Sequence, residues 1–411
     1  MGNAMTEDRF KLLWEFYIHT PLNRKKGRDM LFELSKEQLM IQKMAREFAR
    51  KDLAPQAAER DLKHIFPGDS LKKMGELGLM GMLVSEAYNG GEMGTVAYSL
   101  ALTEIAQACA STAVVMSVHN SICCGSLEKF GNEDQKEEFL KPMAEGEMIA
   151  AFALTEPEAG SDPQSMTCSA VLDGDHYVIN GTKRFISTGS HADVIILLAR
   201  TRETGSKGIS GFLITPDLPG FEVGRVEDKM GQCASDTVDL LFNDCRVPVS
   251  RLLGEEGQGF TIAMSGLDDG RIGVASLSLG IAKAAMDEAI RYSKQRQQFG
   301  RHISEFQGMR WMLADMAMDV EAAELLILKA AAVKESGKKC TKEASMAKCY
   351  ASEMANRVTG QAVQIHGGYG YIKEYPVERF YRDARITTIY EGTNQIQRVI
   401  IANEILKDKK K

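Results

Sequence analysis

The hydrophobic pattern of this 411-residue chain changes its period twice, and this limits the possible folds more than any other feature. From Ser35 to about residue 144, apolar residues recur at helical spacing, with Ser35 as a candidate N-cap and Gln38 three residues later. Residues 151–260 instead hold short β-rich runs, and helical spacing returns beyond Gly257 in long alanine-rich segments. The pattern predicts an α+β fold that is mainly α, with a β domain between two helical domains.

The change of period divides the chain into four predicted segments. They are an N-terminal extension (1–31), an N-terminal helical domain (32–150), a middle β-barrel-like domain (151–260) and a C-terminal four-helix bundle (261–411). Helices are predicted over 69–84, 94–111, 112–130 and 132–144, and in the bundle over 271–296, 305–335, 341–365 and 394–407. In the β domain, Asn180-Gly181 separates the runs HYVI and KRFIS and predicts a two-residue hairpin turn. For the extension, which has basic residues over 24–28, docking, a dimer edge, targeting and disorder all remain open.

Charge and cysteine usage exclude several classes of protein. A formal net charge of -6 argues against a general nucleic-acid coat, but it leaves room for a local cationic patch that binds a phosphate-bearing ligand. The eight cysteines form no CxxC pair and no metal-ligand spacing, so they are expected to be reduced packing thiols, Cys233 among them. Without an apolar run of membrane-spanning length, we expect no membrane span and a cytoplasmic location, or the mitochondrial matrix in a eukaryote.

Seven separated motifs carry a resemblance to one family. They are AFALTEPEAGSD (151–162), GTKRFISTG (181–189), DKMGQCASDT (228–237), LDDGRI (267–272), KQRQQFG (294–300), QIHGGYGY (364–371) and YRDARITTIYEGTNQIQ (381–397). From about Phe32 onward the chain resembles the acyl-CoA dehydrogenases, and most nearly their short-chain (butyryl-CoA) branch. The resemblance implies FAD-dependent α,β-dehydrogenation of an acyl-CoA thioester to the trans-2-enoyl-CoA. It also implies an electron-transferring flavoprotein as electron acceptor and a homotetramer built as a dimer of dimers.

Glu391, inside YEGTNQIQ, is the candidate general base. Removing the α-proton of a thioester needs a base held beside that carbon and hydrogen-bond donors near the thioester oxygen. Thr393 is a candidate N-cap, so a helix dipole should lower the pKa of Glu391, while a bound acyl chain should raise it by desolvation. We expect the second effect to dominate with substrate bound. A lone glutamate before a helix is usually solvated, but the family motif favours the catalytic interpretation, with hydride transfer to flavin N5.

FAD binding is implied by the resemblance alone, because no GxGxxG follows a strand and opens a helix. The implied flavin-site residues are Phe152, Leu154, Thr155, Ser161, Phe185, Ser187, Thr393 and Gln395. Those implied to hold the diphosphate and adenine of a neighbouring subunit's FAD are Arg296, Phe299, Gln307, Gln364, Gly367 and Gly368. Phe185 stands where the family usually has tryptophan, and Ser187 replaces a commoner threonine.

The substrate and two alternative functions remain open at this stage. Implied substrate contacts are Ser161, Leu267, Asp268, Arg271, Tyr390 and Gly392, whereas Glu156, Glu158, Asp162 and Asp383 are expected to serve turns, caps or ion pairs. Gly94 stands where many relatives carry aspartate, which leaves straight, branched, aromatic and alicyclic acyl groups possible. The alternatives are a flavin oxidase of the same fold and a FAD-retaining DNA-binding relative. The acidic net charge and Glu391 disfavour the second, and the absence of an extra C-terminal domain disfavours the larger oxidases.

Overall fold

A capping box starts the first helix, as the sequence predicts. The Ser35 hydroxyl accepts the Gln38 N–H at 3.1 Å, and the Gln38 side chain accepts the Ser35 N–H at 2.9 Å. This computed structural model describes residues 33–202 and 205–407, so the predicted extension lies outside the described residues.

The N-terminal region is helical, as predicted, but its helices are shorter than expected. They are α1 (Lys36–Phe48), α2 (Ala57–Lys63), α3 (Gly68–Glu76), α4 (Gly94–Ala108), α5 (Ala110–Ser117), α6 (Gly125–Phe130), α7 (Glu133–Gln135) and α8 (Lys141–Glu145). The helix predicted over 69–84 ends early, because Gly78 adopts a left-handed φ of 72° just after it. Those predicted over 112–130 and 132–144 are interrupted by π-helical segments, Val118–Cys124 and Lys136–Leu140.

The middle region is an eight-stranded open sheet. Its strands are β1 (Ala150–Ala153), β2 (Ser169–Asp173), β3 (His176–Ser187), β4 (Val194–Arg200), β5 (Ile209–Ile214), β6 (Phe221–Val226), β7 (Thr237–Pro248) and β8 (Leu252–Leu253). The hydrogen-bonded order is β6-β7-β3-β2-β4-β5-β8, with β1 parallel to β4. The two end strands, β6 and β8, do not pair in the described part of the chain, so the barrel-like prediction is wrong about closure.

The predicted hairpin at Asn180-Gly181 is also wrong, because both residues lie inside the continuous strand β3. The turn lies earlier in the sequence, where Asp173 pairs with His176 and Gly174 takes a φ of 64°. Gly181 marks a break in the β3–β7 register instead. A Cβ atom at Gly181 would lie 2.8 Å from the Cα of Cys168, so glycine is required there by a close backbone approach.

Strand β4 lies at the centre of the sheet and packs on both faces. Val194, Ile196 and Leu198 belong to the core shared with the N-terminal helices, while Ile195 and Leu197 belong to the core on the opposite face. Successive side chains of a strand point to opposite faces, so a continuous apolar run produces this two-sided burial.

The C-terminal helices are α9 (Gly259–Gln295), α10 (Gln307–Glu335), α11 (Thr341–His366), α12 (Val377–Arg385) and α13 (Asn394–Leu406), with a short β9–β10 ribbon (Gln297–Gln298, Arg301–His302) after α9. Helix α9 begins at Gly259, well before the predicted Arg271. Its early glycines weaken the helical pattern, but they are needed because other chain segments approach closely. A Cβ at Gly259 would lie 2.6 Å from the backbone of Ser210. No helix among the described residues has the length and apolar character needed to span a bilayer.

Candidate active site

The backbone turn at Glu391 fixes the direction of its side chain. Glu391 has a φ of 54° and Gly392 one of 80°, so two successive residues are left-handed immediately before α13. The Gln397 amide donates to the carbonyl oxygens of both residues at 3.0 Å. The Thr393 hydroxyl accepts the Ile396 N–H at 3.3 Å, which confirms Thr393 as the N-cap of α13.

The Glu391 carboxyl group lies against helix α9. A Cβ atom at Gly270 would be only 2.9 Å from Glu391 Oε1, so the absence of a side chain at Gly270 provides the space for the carboxyl. Glu391 as a whole residue keeps intermediate exposure, but its carboxyl is enclosed by protein. Burial raises the pKa of Glu391 to about 7, and the nearby cations of Arg271 and Lys348 oppose that rise. Protein packing alone thus removes water from the Glu391 carboxyl, an effect that the sequence analysis expected from the bound acyl chain.

Arg271 of α9, whose charge acts on this carboxyl, is paired with Asp268 of the same helix. Arg271 Nη1 donates to Asp268 Oδ1 at 2.8 Å, and Asp268 also accepts the Thr341 hydroxyl at 2.8 Å. Arg271 is buried, and its Nε has no hydrogen-bond partner among the described residues. The predicted substrate residue Leu267 lies one position before Asp268 on α9 and is partly buried.

A cleft of about 390 Å³ lies between the sheet and the segment that leads to Glu391. Phe185 and Ser187 of β3 line one part of it, and Ile389 and Tyr390 line another. Phe185 is 57% exposed and has a left-handed φ of 58°, next to a break in the β3–β7 register. The cleft also contains Ser235, whose buried hydroxyl has no hydrogen-bond partner among the described residues.

The Tyr390 side chain is held at this cleft by a buried network. Gln232 donates its side-chain amide to the Tyr390 hydroxyl at 3.2 Å, and its backbone N–H donates to Asp383 Oδ1 at 2.5 Å. Burial raises the pKa of Asp383 to about 6. By accepting the Gln232 N–H, Asp383 holds the residue that contacts Tyr390, which agrees with its predicted structural role.

The remaining predicted flavin residues do not line this cleft. Phe152 belongs to β1, and the segment that follows is tied to β3: the Leu154 carbonyl accepts from Lys183 Nζ at 3.0 Å and the Thr155 carbonyl accepts the Arg184 N–H at 2.8 Å. These bonds hold the chain after β1 beside the strand that carries Phe185. Ser161 in its loop and Gln395 in the first turn of α13 are exposed.

Arg296, Gly367 and Gly368 line a second cleft of about 460 Å³, formed where α9 and α11 end. The Arg296 guanidinium lies 5.5 Å from the centre of the Tyr369 ring. Three further predicted residues, Phe299, Gln307 and Gln364, are exposed and lie outside its lining. No residue lines both this cleft and the one at Tyr390.

Other residues singled out by the sequence serve structure. Glu156 and Lys183 form a buried ion pair at 2.7 Å, and Glu156 also accepts the Thr167 and Cys168 N–H groups. All eight cysteines are free and buried, and burial raises the pKa of the Cys233 thiol to about 11. The prediction of unreactive packing thiols agrees with these environments.

The sequence reasoning missed Lys348, which contacts the turn that carries Glu391. Lys348 is fully buried and donates to the Gly392 carbonyl at 2.8 Å and to the Asn394 side chain at 2.9 Å. A signal was present: Lys348 interrupts the buried stripe formed by Ala344, Ala347 and Ala351 on α11. A lysine at a core position of a helix needs a polar partner.

Comparison with known proteins places these features in a family. Domain models described as acyl-CoA dehydrogenase N-terminal, middle and C-terminal domain match residues 35–147, 151–245 and 257–406. The chain is 47% identical over 379 residues to a short-chain specific acyl-CoA dehydrogenase of Clostridium acetobutylicum, covering 92% of this chain and 100% of the relative. The chain belongs to the acyl-CoA dehydrogenase family. The predicted family, its short-chain branch and the enzyme class are confirmed, and the family is FAD-dependent.

Solved structures support the same family assignment. The chain matches the butyryl-CoA dehydrogenase of Megasphaera elsdenii with a TM-score of 0.90 and 45% identity, over 92% of this chain and 100% of that chain. It also matches a chain solved in work on the electron-transferring flavoprotein of Acidaminococcus fermentans, with a TM-score of 0.91 and 48% identity over the same shares. The predicted order of a helical, a sheet and a helical region is confirmed by these matches.

Proposed function

We propose that this acyl-CoA dehydrogenase acts on short-chain acyl-CoA thioesters, with Glu391 as the base that removes the α-proton. The observation that carries the proposal is the enclosed Glu391 carboxyl, directed at Gly270 from a left-handed turn. A general base works best when its pKa lies near the working pH, and burial brings that of Glu391 to about 7. The C=C bond forms as the α-proton goes to Glu391 and the β-hydrogen leaves with its electron pair.

The residues around the Tyr390 cleft fit a flavin. The ring of Phe185 is exposed on one side, and the buried Ser235 hydroxyl without a partner supplies a polar group that a ligand can satisfy. Phe152, Leu154, Thr155, Ser161, Ser187, Thr393 and Gln395 complete the proposed flavin site. Bound FAD supplies the acceptor for the β-hydride.

The Arg296 cleft is proposed to hold the diphosphate and adenine of FAD from a neighbouring subunit. This requires at least a dimer, and the proposed assembly is the homotetramer that the family resemblance implies. Arg296 brings a positive charge, and Gly367 with Gly368 permits close approach of a ligand to the backbone. Phe299 supports this proposal, because its side chain is 94% exposed on the isolated subunit. Exposed aromatic rings are typical of surfaces that another molecule covers.

The proposed substrate contacts include Arg271, whose charge acts on Glu391. Arg271 offers an unpartnered Nε, and Asp268 fixes that guanidinium through their ion pair. Ser161, Leu267, Tyr390 and Gly392 complete the proposed set. A short acyl chain is supported by the similarity to short-chain and butyryl-CoA enzymes.

The proposed electron acceptor is an electron-transferring flavoprotein. The alternative, an oxidase, predicts oxygen consumption equal to product formed. We expect acyl-CoA to reduce the flavin under anaerobic conditions and reduced enzyme to pass electrons to electron-transferring flavoprotein faster than to oxygen. Oxygen consumption that matches turnover would favour the oxidase, and failure of every acyl-CoA to bleach the flavin would remove both enzyme functions.

Replacing Glu391 with glutamine tests the base directly. Glu391→Gln should still bind FAD and butyryl-CoA, because glutamine keeps the size of the side chain. It should lose flavin reduction by a factor of about 10²–10⁴ or more, because the amide cannot accept the α-proton. Stopped-flow bleaching under anaerobic conditions measures this rate. The control is Glu374→Gln, which changes an exposed glutamate earlier in the same C-terminal region and should react like wild type. Near-normal bleaching in Glu391→Gln would refute the base role.

A further inference from the structure

Lys348 is a buried cation without an ion pair. Its side chain is completely enclosed, and among the described residues it makes no salt bridge. Its two bonded partners are neutral oxygens, the Gly392 carbonyl at 2.8 Å and Asn394 Oδ1 at 2.9 Å. Burying an ammonium group is expensive, and a methionine would fill similar space on this alanine-rich helix face. The positive charge therefore needs an explanation beyond packing.

The partners of Lys348 are both parts of the turn that carries Glu391. The Gly392 carbonyl accepts from Lys348 and also from the Gln397 amide at 3.0 Å. Asn394 is itself held by α11, since its amide donates to the Ser352 hydroxyl at 3.0 Å. Helix α11 thus fixes the backbone on the C-terminal side of Glu391 through one charged contact.

This clamp acts where the backbone is strained. A non-glycine residue with positive φ, such as Glu391, persists only when surrounding contacts hold it. Gly392 has a φ of 80°, a conformation that residues with a side chain rarely adopt, so substitution there would be strained. Gln397 and Lys348 together bind the two carbonyl oxygens that define the turn.

We propose that Lys348 is a positioning residue for Glu391: its buried ammonium group clamps the left-handed turn through Gly392 and Asn394 and places a fixed positive charge beside the carboxylate. This inference rests on the proposed role of Glu391 as base. Lys348 itself touches no reacting atom. Its charge favours the ionised form of Glu391, which is the form that accepts a proton.

The electrostatic surroundings come from several elements. The groups that interact with Lys348 or Glu391 are Arg271 of α9, Tyr98 of α4, Cys123 of the π-helical segment Val118–Cys124, Tyr390, and Cys349 and Glu353 of α11. Lys348 has a pKa of about 8, lowered chiefly by burial, so it is protonated at neutral pH. Its removal leaves Arg271 as the neighbouring cation that opposes the effect of burial on Glu391. The pKa of Glu391 should then rise above about 7.

The test compares Lys348→Met and Lys348→Gln as flavin-loaded enzymes. The methionine removes charge and donor, while the glutamine keeps a donor without charge and serves if the methionine variant does not fold. We expect kcat/KM for butyryl-CoA at pH 7 to fall at least about ten-fold in both, with a larger loss of up to about 100-fold in the methionine variant, where the turn is also released. The acid limb of the pH profile should shift upward by about one unit, so part of the loss should be recovered at high pH.

Controls separate this role from a structural one. Lys283→Met removes a partly buried lysine of α9 that pairs with Glu324, and it should leave the pH profile unchanged. If both Lys348 variants keep the wild-type pH profile, or lose only flavin content and thermal stability, the positioning role is overturned. Glu391→Gln is measured alongside, because its inactivity together with unchanged pH profiles of the Lys348 variants would mean that the base role stands while the Lys348 proposal fails. Full activity of Glu391→Gln would overturn both.

Discussion

At the scale of single residues, the candidate site combines features that a stable protein usually avoids. Glu391 has a left-handed backbone and an enclosed carboxyl, and the nearby Lys348 is a buried cation. Each is unfavourable by itself, but the cation and the carboxylate stabilise each other electrostatically. With Lys348 nearby, the Glu391 carboxyl can ionise near neutral pH although protein shields it from water.

The burial of Glu391 should appear as a pH-dependent cost to stability. Its pKa rises from 4.5 to about 7 on folding, so its favourable contribution is complete below pH 4.5 and is lost as pH rises through about 7. Glu391→Gln has no such titration, and it should gain stability relative to wild type by on the order of 1–3 kcal/mol at pH 8.5. Urea unfolding of both flavin-loaded proteins at pH 4.5 and pH 8.5 measures the difference. A difference that does not change with pH would contradict this prediction.

At the scale of elements, helix α4 takes its N-terminal cap from another helix. Val96 donates its N–H to Glu335 Oε1 at 2.6 Å, and Glu335 is the last residue of α10. A Cβ at Gly94 would lie 2.4 Å from the same oxygen, and Gly94 has a φ of 80°. A side chain at position 94 would therefore meet the Glu335 carboxylate. The positive φ and the nearby Glu335 carboxylate give a structural reason for glycine at position 94.

Because Glu335 caps α4, shortening its side chain should lower the stability of the fold. Glu335→Ala leaves the α4 N–H groups without the carboxylate and should lower the free energy of unfolding by about 1 kcal/mol. Glu335→Gln keeps an acceptor and should lose less, because only the interaction with the helix dipole disappears. Chemical denaturation with both variants measures the two contributions. Equal stability of Glu335→Ala and wild type would show that water replaces the cap.

The sequence predicted elements best where the signal was local and continuous. Strand β4 follows from an uninterrupted apolar run and helix α11 from a long helical pattern, and the Glu391 motif is a contiguous stretch. Asn180-Gly181 was misread because a bulge and a hairpin use the same residue types, and only the pairing with β7 distinguishes them. Lys348 was missed because its partners lie more than 40 residues away in the sequence.

At the scale of the whole molecule, the two clefts are separate and have different proposed roles. The cleft at Tyr390 lies beside the proposed base, whereas the Arg296 cleft shares no lining residue with it. The proposed sharing of one cofactor between subunits would account for two separate sets of predicted cofactor residues in a single chain. Each subunit would then complete its neighbour's site.

Shared sites predict that two inactive variants restore each other. Glu391→Gln lacks the base, and Arg296→Ala should weaken binding of the neighbour's FAD. In a mixed assembly, the Arg296→Ala subunit keeps its base and receives the intact Arg296 of the Glu391→Gln subunit. Co-expression with two affinity tags, followed by purification of the mixed species, should recover up to about half of the activity per flavin site. Activity no higher than that of the separate variants would mean that each subunit binds its FAD alone.

The left-handed residues have a consequence for attempts to make this enzyme more heat-resistant. Phe185, Phe299 and Glu391 all have positive φ, although none is a glycine. A stabilisation strategy based on backbone preference would replace them with glycine or asparagine. Each replacement would remove strain together with an aromatic ring or the proposed base. A ranking of positions by the predicted gain in melting temperature would therefore include these three proposed site residues, which should be left unchanged.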